Sequence, residues 1–144
     1  MKKIICLIAV VLMIASVAYA QKKKAGITAN DLAGMKGTWA GTISFGEFEQ
    51  GGSSACKLEI LNDAVPVKAK FTVDNVPAGV ASSVGGTSGQ NVMESDEGAL
   101  TTQGTIMFTG PAKGFLEISK SGEKKIKINY WFRGMKGDGI LTKK

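Results

Sequence analysis

From Gly37 to Phe45 the chain reads Gly-Thr-Trp-Ala-Gly-Thr-Ile-Ser-Phe, and its residues alternate between two chemical sets. Trp39, Gly41, Ile43 and Phe45 share one side of a two-residue repeat, while Thr38, Ala40, Thr42 and Ser44 share the other. Successive side chains of a strand point to opposite faces, so this pattern predicts a strand with one face buried and one wet. Trp39 brings the largest apolar surface of any residue type, and Gly41 on the same face leaves room for a close neighbour.

The same period recurs downstream. Residues 55–62 turn Cys56, Leu58 and Ile60 one way and Lys57 and Glu59 the other. Residues 65–73 set Val65, Val67, Ala69, Phe71 and Val73 against Pro66, Lys68, Lys70 and Thr72, and Pro66 marks a sheet edge or a strand start. Residues 104–109 offer Ile106 and Phe108; residues 114–119 offer Leu116 and Ile118. In residues 124–133, Ile126, Ile128, Tyr130 and Phe132 oppose Lys125, Lys127, Asn129, Trp131 and Arg133. A short run at 139–143 ends the pattern. Turn formers separate the runs: Gly51-Gly52-Ser53, Asn62-Asp63, Gly110-Pro111, Ser121-Gly122 and Lys136-Gly137-Asp138-Gly139.

Residues 74–102 break the rhythm. Four glycines (79, 85, 86 and 89) precede the acidic Glu94-Ser95-Asp96-Glu97. The expectation here is a mobile loop joining short irregular strands near 78–84 and 100–102, serving as a lid or rim or simply as an excursion.

The N-terminus reads as an address. Met1-Lys2-Lys3 is a positive start, residues 4–17 are apolar, and Ala18-Tyr19-Ala20 is a small-x-small cleavage site before Gln21. That is the build of a secretory signal peptide. The apolar run falls short of the roughly 20 residues that span a bilayer, so no stable membrane span is expected after cleavage. An exported protein, periplasmic or extracellular, follows. Its organisation is a signal at 1–20, a tail at 21–36 and a barrel domain at 37–144. In the tail, Thr28 caps a possible short helical turn, with Asp31 three residues on. Losing Lys2 and Lys3 takes the formal charge from +6 to +4. The lysines are spread, apart from Lys22–Lys24, and no basic patch is interleaved with aromatics, so nucleic acid is not an expected partner.

The chain contains no histidine, which removes Ser-His-Asp and Cys-His catalysis and the common zinc sites. After export only Cys56 remains, so no internal disulfide forms, and its parity with Leu58 and Ile60 predicts an inert buried thiol. Glu47 with Glu49, and Glu94 with Asp96 and Glu97, read as solvated acids in turn-like regions. The Gly85-Gly86-Thr87-Ser88-Gly89 run lacks the Lys-Ser/Thr of a phosphate loop. No catalytic residue, cofactor or metal site is assigned.

Seven or more short strands, tight turns and one domain's length predict an all-β fold, an antiparallel up-and-down barrel of about eight strands. Its expected inner face comprises Trp39, Ile43, Phe45, Leu58, Ile60, Val67, Phe71, Ile106, Phe108, Leu116, Ile118, Ile128, Tyr130 and Phe132. Gly37-Thr38-Trp39, opening the first strand after a short helical turn, resembles the start of calycin-type barrels: lipocalins, fatty-acid-binding proteins and avidins. The resemblance implies that Trp39 packs on the barrel floor at a closed end. Lipocalins pair this Trp with an Arg near the end of the last strand. Here the only arginine, Arg133, ends a strand parallel to the first and belongs at the opposite rim, which leaves Lys143 or Lys144 near Trp39.

Two functions remain. In one, Phe45, Phe71, Phe108, Tyr130 and Phe132 line a cavity that binds a small apolar or amphipathic ligand, as the calycin resemblance implies. In the other, the same side chains fill the barrel, and a non-enzymatic envelope or interaction protein meets a macromolecular partner through its loops or outer face. Trp131, outward by parity and near Lys127 and Arg133, is the candidate contact.

Overall fold

A computed structural model describes residues 26–46, 52–76, 89–109, 114–132 and 135–144, without the side chains of residues 90, 91, 132 and 135. The signal segment, Lys22–Lys24, Glu47, Glu49, Gly85–Ser88, Arg133 and the irregular strand expected at 78–84 lie outside the described residues, as does the Phe132 side chain.

Eight strands run β1 Gly37–Phe45, β2 Gly52–Ile60, β3 Val67–Val76, β4 Gly89–Leu100, β5 Thr105–Thr109, β6 Phe115–Gly122, β7 Lys125–Phe132 and β8 Met135–Lys143. Each pairs antiparallel with its sequence neighbours, and β8 returns to β1, from Trp39 opposite Lys143 to Phe45 opposite Gly137. The result is a closed up-and-down barrel, narrowest in its pairing between β4 and β5, which meet at Ala99–Met107 and Leu100–Ile106. The expected inner face is correct throughout its described side chains: none is more than 2 % exposed.

A single turn of 3-10 helix, Ala29–Asp31, leads into a turn of α-helix, α1, Leu32–Met35. The Asp31 carboxylate accepts hydrogen bonds from the Thr28 N–H (2.8 Å) and the Thr28 hydroxyl (2.6 Å), which fixes the start of this unit. Ile27, Leu32 and Met35 are buried, so the segment before β1 plugs one end of the barrel. At the β2–β3 turn, Asn62 donates to the carbonyls of Ala64 and Pro66 and accepts from the Lys68 N–H. Its amide replaces the ladder bonds that the turn cannot make.

Three expectations need correction. The run at 139–143 is the end of a nine-residue strand, and Lys136-Gly137-Asp138-Gly139 is strand rather than turn. Gly137 and Gly139 alternate with Leu141 on the inner face, opposite Phe45 and Ile43. A Cβ on Gly137 would lie 2.9 Å from Ile43 and 3.0 Å from Phe45, so Gly137 makes space for larger partners, and one on Gly139 would meet the Thr42 carbonyl of β1. Likewise, the loop expected up to residue 102 is in large part the twelve-residue strand β4, and its acids stand on that strand's outer wall. Glu94 pairs with Lys70 at 2.9 Å and Asp96 with Lys68 at 3.9 Å, across from β3. The alternation was hidden by a register shift between the Val67–Gly98 and Ala69–Ser95 pairs, which inserts an extra residue beside Asp96 and Glu97. Finally, Val65 is exposed in the turn before β3, not inward.

Candidate functional site: an aromatic row outside a filled barrel

One of the two functions expected from the sequence places a ligand in the barrel interior. Phe71 and Tyr130 pack ring to ring at 5.1 Å between centroids, tilted by 56°. Phe108 reaches the position a side chain on Gly98 would need, and Phe45 lies against Gly137. Large side chains thus face glycines across the lumen, which is how small barrels are filled. A void able to admit water would leave accessible surface on its lining. Ile43, Leu58, Ile106, Phe108, Leu116, Ile118 and Ile128 have none, and Phe45, Phe71 and Tyr130 have at most 2 %. Among the described residues no buried side-chain polar atom lacks a hydrogen-bond partner, so no unmet group points inward to orient a ligand. Burial pushes the Tyr130 hydroxyl up to about 12.

Cys56 is 3 % exposed on the same inner face. Burial, with Asp74's charge adding to it, pushes its thiol up to about 11. A protonated, inaccessible thiol is a poor nucleophile.

Trp39 is buried at the plugged end. Its indole N–H donates to the Met35 carbonyl at 2.7 Å, joining the barrel floor to α1. Lys143, its partner across the β1–β8 seam, holds its ammonium 5.7 Å from the Trp39 ring and donates to the Gly34 carbonyl. Asp31 binds Lys120 of β6 at 2.8 Å, and this ammonium, with Thr28, holds the carboxyl well below its ordinary range. A pocket of about 100 Å³ opens here, lined by Met35, Trp39, Lys120 and Glu123 among others. It is of a size for a few waters. A shallower groove runs between residues 26–29 and the β4–β5 turn at 101–104.

The outer wall carries the remaining feature. Phe115, Trp131 and Lys136 are cross-strand neighbours on β6, β7 and β8, near the end opposite the plug. The Phe115 and Trp131 rings are 5.2 Å apart, and the Lys136 ammonium lies 5.2 Å from the Trp131 ring. One step along the wall, Asn129 donates to Glu117 at 3.0 Å, with Asp138 opposite Asn129 on the other side. Trp131 is outward as expected, 39 % exposed. Its cation, however, is Lys136, not Lys127, which stands four residues back along β7. Phe115 and Lys136 were missed because residues 136–139 read as a turn and Phe115 as the flank of a short strand; its parity opposite Leu116 was the available signal.

The described architecture is a small, closed eight-stranded antiparallel β-barrel, compatible with a calycin-like fold. Comparison with protein-family models, with curated proteins and with solved structures finds no match for this chain. Among the described residues no cluster of histidine, cysteine and acidic side chains is arranged to hold a metal, and no helix is long and apolar enough to cross a membrane.

Proposed function

We propose that this chain is an exported, non-enzymatic interaction protein: a calycin-type barrel with a solid interior, used as a rigid scaffold that meets a protein partner through its outer wall. The observation that carries this reading is the contrast between the two aromatic sets. Phe45, Phe71, Phe108 and Tyr130 are spent on filling the lumen, whereas Phe115 and Trp131 stack on the outside under a lysine. Interface hot spots are enriched in Trp, surrounded by polar contacts that exclude water. The Glu117–Asn129–Asp138 row supplies such a border. The cleavage pattern at Ala18-Tyr19-Ala20 supports export, and Gly37-Thr38-Trp39 with Lys143 over the indole supports the calycin assignment. The absence of histidine supports a non-catalytic role. A photo-crosslinking amino acid at position 131 in the producing cell tests the reading, with the same group at Lys57, across the barrel, as control. One discrete adduct is expected at 131 and not at 57. Equal labelling at both sites, or none at 131, contradicts it.

A further inference from the structure

Charge is unevenly distributed round this barrel. From β2 through β4 three lysines meet six acids. At the plugged end of β6–β8 and α1 the balance reverses: Lys36, Lys120, Lys124, Lys125, Lys143 and Lys144 stand against Asp31 and Glu123. Two of these lysines are engaged, Lys120 by Asp31 and Lys143 by the Gly34 carbonyl. Lys36, Lys124, Lys125 and Lys144 are exposed, and none takes part in the ion pairs found among the described residues. The backbone brings them to one rim. Lys143 N–H donates to the Lys124 carbonyl at 3.1 Å, Lys144 N–H donates to the Thr38 carbonyl at 3.0 Å, and Lys36 directly precedes β1.

We propose that the basic β6–β8 side of the plugged end docks the protein on an anionic lipid bilayer. Lysines gathered on one side of a rim meet a plane together, and each Lys near an anionic membrane surface adds attraction that salt screens. A strand of nucleic acid would instead be held in a groove with bases stacked on aromatic side chains. The aromatic at this end, Trp39, is 2 % exposed and unavailable. Docking this way leaves the Phe115–Trp131–Lys136 row, at the other end of the same strands, facing away from the bilayer. The inference is independent of the protein-partner reading, since it uses different residues and a different end.

The test is co-sedimentation of the purified protein with vesicles rich in phosphatidylglycerol and with phosphatidylcholine vesicles, at low salt and at about 0.15 M. Binding is expected to phosphatidylglycerol only, weakening with salt. Lys36→Gln/Lys124→Gln/Lys125→Gln should weaken it by roughly fivefold per lysine, on the order of a hundredfold together. Lys57→Gln and Trp131→Ala should leave it unchanged, and circular dichroism of the triple variant should match the parent. Equal binding to both vesicle types, or a triple variant that binds like the parent, overturns the proposal. So does displacement of the protein from phosphatidylglycerol by single-stranded DNA at equimolar phosphate, which would mark the end as a nucleic-acid site.

Discussion

Trp39 and Trp131 are alike in composition and opposite in circumstance, and they test the inside–outside assignment residue by residue. Trp39 is 2 % exposed, hydrogen-bonded to Met35 and covered by Lys143. Truncating it removes a large buried surface and opens a cavity, so Trp39→Ala should cost about 3–5 kcal/mol. A domain of this size is typically stable by only about 5–15 kcal/mol, and the variant should be badly weakened. Trp131 loses one ring contact and one cation contact in water, so Trp131→Ala should stay within roughly 1 kcal/mol. Chemical denaturation of the two variants decides. Equal losses, or a larger one at position 131, would mean that the two faces have been exchanged.

At the scale of elements, the strands that read clearly are those with unbroken apolar periodicity. β1, β2, β3 and β7 were legible because Trp39, Leu58, Phe71 and Ile128 each sit in an uninterrupted alternation. β4 and β8 were not: both carry glycine on the inner face, and in β4 a register shift beside Asp96 and Glu97 also breaks the alternation. Gly98, Gly137 and Gly139 look like turn residues in sequence, yet Gly98 and Gly137 occupy inward positions that large side chains from other strands need, and Gly139 lies against the β1 backbone at Thr42. Such complementarity is a property of the assembled barrel and leaves no mark within a single segment. The candidate site suffered in proportion. Trp131 was placed by parity alone, but its neighbours Phe115 and Lys136 depend on register with β6 and β8. The glycine reading makes its own prediction. A Cβ on Gly98 would collide with the Phe108 ring and lie 2.7 Å from the Val67 carbonyl. Gly98→Ala should therefore destabilise the fold by about 1–3 kcal/mol, although alanine usually suits a strand no worse than glycine. An unchanged urea midpoint would show that this lumen position is slack.

For the molecule as a whole, a packed interior has consequences for pH and for binding. Cys56 and Tyr130 keep their protons to about 11 and about 12 in the folded state, against 9.0 and 10.0 without the fold. As pH rises from about 9, the unfolded chain releases these protons first. The stability they contribute is whole below pH 9 and drains away towards pH 12. Thermal melts should show a falling midpoint across that window, and Cys56→Ala should blunt its lower part. The central claim, that the barrel is filled and the work lies outside, is met most directly by titration with cis-parinaric acid, an apolar fluorescent probe that lights up in a dry cavity. The account predicts no saturable rise in fluorescence with the parent protein. A saturable one-to-one rise, abolished by filling the lumen with Gly137→Leu in a variant that still folds, would contradict it.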